Sequence, residues 1–289
     1  MIRIVTDTTA GISQETLDEY GIPMVPQYVH FGDEALRDVY DISIPEFYRR
    51  QAASRELPKT SAPSVGEFVT VFEDILGEEP DATILCIHPS AEVSGTIRSA
   101  RPAAAQLAEA YPAADIRIFD TRSVSLGTGI PVLEAARMAR AGRSAGEIMA
   151  RLEYIRDNMN IYFVVGSLDY LVRGGRIGRA SHLVGTLLDI KPILRLEDGM
   201  VESFAKARTR KRALADLRAI AVEGAQGKPG LHLGVAHAVC EDEAREMADS
   251  LCEVLNPTEF LFCELGPSIG VHAGPQSLAV AWVSLPDGA

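Results

Sequence analysis

Residues Cys86–Ala104, "CIHPSAEVSGTIRSARPAA", begin as an apolar strand and end as a helix. Ser90, Ser94, Gly95 and Thr96 lie between the two, a run of hydroxyls around one glycine. A strand that feeds a helix through a short polar loop is the repeating unit of a parallel α/β sheet. The same unit recurs on either side. "IRIVTD" (2–7) leads through a polar loop into "SQETLDEY", an amphipathic helix closed by Gly21. "ATILCIHP" and "DIRIFDT" are short apolar runs of the kind found in a sheet covered on both faces. Ser43 with Glu46, and Ser64 with Glu67, predict capping boxes, and Pro45 is tolerated in the first turn of its helix. "IPMVPQYVHF" (22–31) reads as a strand with Pro26 near an edge or bend. These units predict a doubly wound layer of about four strands.

The pattern changes after a long helical stretch from Ser123 to Asp157. "IYFVVG", "PILRL", "MVESFAKA", "LHLGVAHA", "EFLFCEL" and "SLAVAWVSL" follow as strands, and Asp198-Gly199 between two of them signals a hairpin. The fold class expected is therefore α/β with two domains. An N-terminal parallel-sheet layer spans 1–158, and a C-terminal mixed or antiparallel sheet with helices spans 159–289. Neither internal repeats nor a low-complexity linker separates them, so the domains are expected to pack closely.

The chain has 289 residues, 47% of them hydrophobic, and a formal charge of −12. That composition demands a packed core and opposes a protein whose whole surface grips nucleic acid. The four cysteines have no C-x-x-C spacing and fall in or beside apolar segments, as buried free thiols do. The chain opens directly on a strand-like segment, and no apolar run is long enough to span a bilayer. A soluble, cytoplasmic protein is expected.

Ligands of open α/β sheets bind at the carboxyl ends of the strands. The loops there are rich in hydroxyls: Thr8 and Thr9 beside Asp7, Ser90 and Ser94-Gly95-Thr96, and Thr121, Ser123 and Ser125 beside Asp120. In "KTSAPS", Ser64 is taken by its capping box, which leaves Thr60 and Ser61 free. Gly95 would let backbone N–H groups approach an anion at a helix start. The competing readings are local: Ser94 as a helix cap, Asp7 and Asp120 as ties within their own loops. Neither a G-x-S-x-G elbow nor a Walker loop is present, and the six histidines are scattered without metal spacing. A Ser94–His272–Asp7 triad, and with it a serine hydrolase acting on an acyl ester through Ser94 and His272, stays open as the alternative.

In the second half, Arg173, Arg176 and Arg179 flank the glycines of "RGGRIGR", and "GPSIGVHAGPQ" puts His272 in a loop entering the last strand. "KARTRKR" (206–212) gathers Arg208, Arg210 and Lys211 at the start of a helix, where positive charge opposes the helix dipole. That cost suggests a docking site for an acidic partner or an anionic head group, against the alternative of a solvated face. The patch is short and lacks interleaved aromatics, so nucleic acid is not the expected partner.

The order "VTDTTAGIS", "LPKTSAPS", "SGTIRSA", "FDTRSVSLGTG", "LVRGGRIGR…LLDIKPIL…DG", "KARTRKRAL" and "HAGP" resembles the DegV family across essentially the whole chain. Two departures stand out: "HPSAEVSGTI" carries Pro89 and Ile97, and in "HAGPQ" Gln276 replaces a glycine. The resemblance implies a non-enzymatic carrier that holds a long-chain fatty acid between its two domains. Some family members resemble the fatty-acid-binding subunit of a bacterial fatty acid kinase, which presents the carboxylate to a separate ATP-dependent kinase for acyl-phosphate formation. Carried over by motif, Thr60, Ser94 and His272 would hold the carboxylate, with Ser61, Gly95 and Thr96 beside them. Arg173 and Arg176, with Arg208, Arg210 and Lys211, would meet the head group or the partner. Neither a cofactor nor a metal is expected, and transient contact with a membrane surface belongs to the same expectation.

The chemistry suits a lipid acid. Hydroxyls, a backbone N–H and an imidazole can receive a carboxylate without a full buried ion pair. Each buried methylene contributes about 0.8 kcal/mol, so a sixteen-carbon tail gives a gross term of roughly 11 kcal/mol before the costs of association. In "LVGTLLDIKPIL" (183–194), Leu183, Leu187, Leu188 and Ile193 are the residues expected to line the tail, with ordinary core as the competing reading.

Overall fold

The structure is a computed structural model, and it describes residues 1–183 and 190–285. The first half runs β1 (Ile2–Asp7), α1 (Gln14–Tyr20), β2 (Met24–Val25), β3 (Tyr28–Phe31), β4 (Glu34–Arg37), α2 (Ile44–Ala53) and β5 (Lys59–Ser61). It continues through α3 (Val65–Glu78), β6 (Thr83–His88), α4 (Thr96–Leu107), β7 (Asp115–Asp120), α5 (Leu126–Arg140) and α6 (Ala145–Asn158). The second half comprises β8 (Asn160–Val164), α7 (Asp169–Arg173), β9 (Lys191–Glu197), β10 (Met200–Ala207), α8 (Arg210–Ala225), β11 (Leu231–Ala238), α9 (Glu241–Leu255), β12 (Glu259–Glu264), α10 (Pro267–Ala273) and β13 (Ser277–Ser284).

Strands β2-β1-β6-β7 form a four-stranded sheet whose pairs are all parallel. Period-two alternation along β6 explains the cover on both faces. Ile84 and Cys86 meet Phe68 and Phe72 of α3 and Ala100 of α4, while Leu85 and Ile87 meet Leu17 of α1, Val132 of α5 and Leu152 of α6. The expected doubly wound layer is present.

Three local expectations change in detail. The run 22–31 is not one strand: β2 ends at Val25, and β3 opens a separate antiparallel sheet ordered β4-β3-β5. Pro26 brings no N–H to a ladder, so the chain changes sheets there. The Ser64–Glu67 box forms in full, whereas Glu46 turns its carboxylate to Arg49 and only the Ser43 half of its box remains. The helical stretch 123–157 is two helices, broken at Gly142 (φ +75°) and restarted by a capping box between Ser144 and Glu147.

The second half forms a six-stranded sheet ordered β10-β9-β8-β13-β11-β12, antiparallel except where β11 meets β12. Asp198 and Gly199, both at positive φ, make the tight turn between β9 and β10. One face is buried by α8 and α9. The other receives α5 from the first half, with Leu126 and Ile130 against Ala236, Ala281 and Val283. The first half also reaches α10: the Tyr48 hydroxyl donates to the Leu265 carbonyl (2.9 Å), and Gln51 Nε2 to the Gly270 carbonyl (3.2 Å). Gly270 permits that approach, because a Cβ there would sit 2.6 Å from the Phe47 ring. Among the described residues, no helix is long and apolar enough to cross a membrane.

Candidate functional site

The carboxyl ends of the parallel strands face the inner side of the six-stranded sheet, and an apolar slot runs between them. Strand register sets its floor. Ala279 pairs with Phe163, and Ala281 pairs with Ile161, so these side chains point to the same face. Leu126 of α5 forms the opposite wall and packs onto Gly234, where a Cβ would come within 2.7 Å of it. One end of this slot is polar, built by Gln27, Thr60, Ser94, Arg176 and His272.

Thr60 is the middle residue of β5, so alternation turns it inward while Lys59 and Ser61 point to solvent. Its Oγ1 lies 2.8 Å from His272 Nε2. The imidazole sits on α10, not in a loop, and its Nδ1 is buried with no hydrogen-bond partner among the described residues. Gly174 of "RGGR" makes room for it, since a Cβ there would lie 2.2 Å from Nδ1. Burial, and after it the Arg176 cation, push His272 down to about 4, so the ring is neutral at pH 7. A proton on Nδ1 would be a buried donor without an acceptor, which favours the Nε2–H tautomer. Nε2–H then donates to Thr60, and the Thr60 hydroxyl hydrogen points to whatever fills the slot.

A second donor chain converges from the other side. Gln27 Nε2 donates to Thr96 Oγ1 at 2.6 Å, and Thr96 Oγ1 lies 2.8 Å from Ser94 Oγ. Thr96 is fully buried, and its one hydroxyl hydrogen has Ser94 Oγ as acceptor among the described residues. Ser94 Oγ also accepts from the Thr96 N–H. Ser94 is left with its own hydrogen to offer. Gly95 brings the start of α4 close to the β5–α3 loop, because a Cβ there would be 3.1 Å from that of Ala62.

Arg176 completes the polar end. Its Nε donates to the Val93 carbonyl (3.0 Å) and Nη1 to the Gly174 carbonyl (2.7 Å), yet among the described residues it has no carboxylate partner. Burial, and next the neighbouring Arg98 cation, lower its pKa. A half-buried cation with fixed carbonyl contacts and no counter-ion is arranged to receive an anion.

Thr60, Ser94, Gly95, Arg176 and His272 thus come together as the sequence suggested, and the others stand elsewhere. Ser61 is exposed and bonded to His30 Nε2 (2.8 Å). Thr96 positions Ser94 and Gln27 from behind without reaching the slot. Arg173 is exposed at the end of α7. Arg208 and Lys211 are exposed, but Arg210 is engaged with Glu243 (2.7 Å) and the Gln276 carbonyl (2.6 Å). It links α8 to α9 and is not a free cation, which also relieves the charge cost at its helix start. Ile193 points to the α8 face of the sheet beside Val164 and Leu217, and Leu183 packs with Leu171 and Val201. Both are core rather than tail lining; Leu187 and Leu188 lie outside the described residues. Gln276 holds φ at +60°, the left-handed region that suits glycine.

The sequence did not point to Gln27, Phe163, Ile161 or Leu196. Gln27 carried one signal, a polar side chain between strand-like apolar segments. The Ser94–His272–Asp7 triad is not assembled. Asp7 accepts from Thr9 and lies 2.7 Å from His88 Nδ1, while among the described residues His272 has no acid on Nδ1. Asp120 ties its own loop through the Arg122 N–H, as the local reading expected. Among the described residues no group of histidines, cysteines and carboxylates could hold a metal.

A two-layer α/β frame around an apolar slot with one polar end defines a ligand-binding architecture. The model of the DegV family of uncharacterised proteins matches residues 1–285, and the chain belongs to that family. Protein DegV of Bacillus subtilis is 34% identical over 284 residues, which cover 97% of this chain and 98% of that protein. A DegV family protein of Thermus thermophilus, described by its fatty acid binding, superposes with a TM-score of 0.91 at 33% identity, covering 98% of this chain and 99% of that one. A stearic-acid-binding protein from Eubacterium ventriosum superposes with a TM-score of 0.92 at 27% identity, covering 98% of each chain.

Proposed function

We propose that this chain binds a long-chain fatty acid in the slot, carboxylate at the polar end, and presents it to a separate ATP-dependent kinase. The observation that carries the reading is the set of unsatisfied groups at one end of an apolar slot. Thr60 and Ser94 each have a hydroxyl hydrogen to give, and Arg176 has no carboxylate partner among the described residues. A carboxylate fits all three through charge-assisted hydrogen bonds. The neutral His272 orients Thr60 without adding a second buried cation. Residues 1–158 and 159–289 act as the two halves of the clamp.

In the partner's step, a carboxylate oxygen attacks the γ-phosphorus of ATP, the bond to ADP breaks, and an acyl phosphate forms. No nucleotide-binding motif of this chain serves that step, so the kinase must come from outside. The exposed cations Arg173, Arg208 and Lys211 are the side chains offered to it.

Solvent extraction of the purified protein followed by mass spectrometry tests the binding. A stoichiometric long-chain fatty acid is expected; an empty pocket that also fails to take up added fatty acid overturns it. For presentation, acyl phosphate is trapped with hydroxylamine after adding ATP and a candidate kinase. Hydroxamate that forms equally well from free fatty acid without this protein would remove the carrier role.

A further inference from the structure

The slot measures about 150 Å³, the size of an engineered core cavity that accommodates benzene. That is short measure for a long acyl chain. From the row of Ala279 and Phe163 to the row of Ala281 and Ile161, the floor spans roughly 7 Å. At the far end, Ile161 and Leu196 close it. The same two side chains also wall a second, polar cleft of about 650 Å³. One layer of side chains therefore separates the apolar slot from a wet space.

Three cations and three acids line that cleft, but they are not all paired with one another. Its acids are already taken: Asp157 by Arg156 (2.8 Å), Glu197 by Arg195 (3.2 Å) and Asp198 by Arg179 (3.5 Å). Arg122 and Lys228 also line it, and among the described residues neither has an ion pair. Ser123 and Asn160 add polar groups at the cleft side of Ile161. Resting on the fatty-acid reading above, we propose that Ile161 and Leu196 form an inner gate. Through it the far end of the chain reaches the cleft, and Arg122 and Lys228 accept a carboxylate there. The ligand class this adds is the long-chain α,ω-dicarboxylic acid, held at both ends.

Hexadecanedioic acid and palmitic acid, titrated separately into delipidated protein, test this. With an open far end, the diacid binds within about tenfold of palmitate, because its second carboxylate stays hydrated and meets cations. With a closed far end, burying that carboxylate unpaired costs the diacid more than a hundredfold. The double variant Arg122→Ala/Lys228→Ala, both exposed, is expected to weaken the diacid ~5-fold and leave palmitate unchanged. Palmitate binding with the diacid excluded overturns the gate alone, as does a double variant that affects neither acid or both equally. Binding of neither acid overturns the fatty-acid reading and the gate with it.

Discussion

His88 is a buried imidazole and His272 a partly buried one, each with a side-chain partner on a ring nitrogen, and they end in opposite states. His88 is wholly enclosed at the end of β6, with Asp7 on Nδ1 (2.7 Å) and Cys86 on Nε2 (2.9 Å). Burial works against its charge, but the Cys86 and Asp7 partners outweigh it and raise His88 to about 10. His272 has a threonine, an empty Nδ1 and an arginine nearby, and stays neutral. The parallel sheet closes its own polar network with an internal acid. At the slot no acid is supplied by the described residues, and a ligand's carboxylate would take that place.

The largest expected effect breaks the closed network. Asp7→Ala removes one member of a buried pair and should cost ~3–5 kcal/mol in urea unfolding; a loss below 1 kcal/mol would mean that His88 is not held as a cation. Next comes pH. The His272 value of about 4 lies below the ordinary 6.5. The stability of the neutral ring is therefore complete above about pH 6.5 and is lost as pH falls through 4, up to ~3 kcal/mol in all. For His88 the sign reverses, because its raised value gives stability that is full below 6.5 and lost as pH rises through 10. Ring-proton NMR titration reads both directly: His272 without ligand should stay neutral down to about pH 4, and fatty acid should raise its value.

Smaller effects sharpen the open end. Arg176→Met should weaken fatty acid about tenfold to a hundredfold in direct titration, the worth of a hydrogen bond to a charged group. Arg176→Lys should recover only part, since lysine lacks the planar fork that makes both carbonyl contacts. Smallest is the neighbouring pair: Thr60→Val should cost about fivefold, and Ser61→Ala should change nothing. Equal losses at the two positions would contradict the inward and outward alternation of β5.

Much of this was legible in the sequence, and the reasons for the rest are physical. Alternating strand and helix fixed the parallel layer, because apolar runs, caps and turn residues are local signals. Side-chain parity is not local. Ile193 looks as apolar as Leu196, but three positions along one strand put them on opposite faces. Arg210 read as a free cation because Glu243 is distant in sequence and invisible to helix arithmetic. The placement of Thr60 against His272 came from motif resemblance, since no spacing rule brings β5 to α10.

That last contact joins residues 212 positions apart, and the bonds from Tyr48 and Gln51 to α10 span 217 and 219. Contacts of such separation carry a loop-closure cost that local structure does not repay, so they belong to the late part of folding. The pocket's polar end would then be the last region assembled and among the first to open. A ligand that bridges it stabilises the folded chain by mass action. The retained lipid would thus act as a folding partner, and emptying the slot would leave the chain easier to unfold.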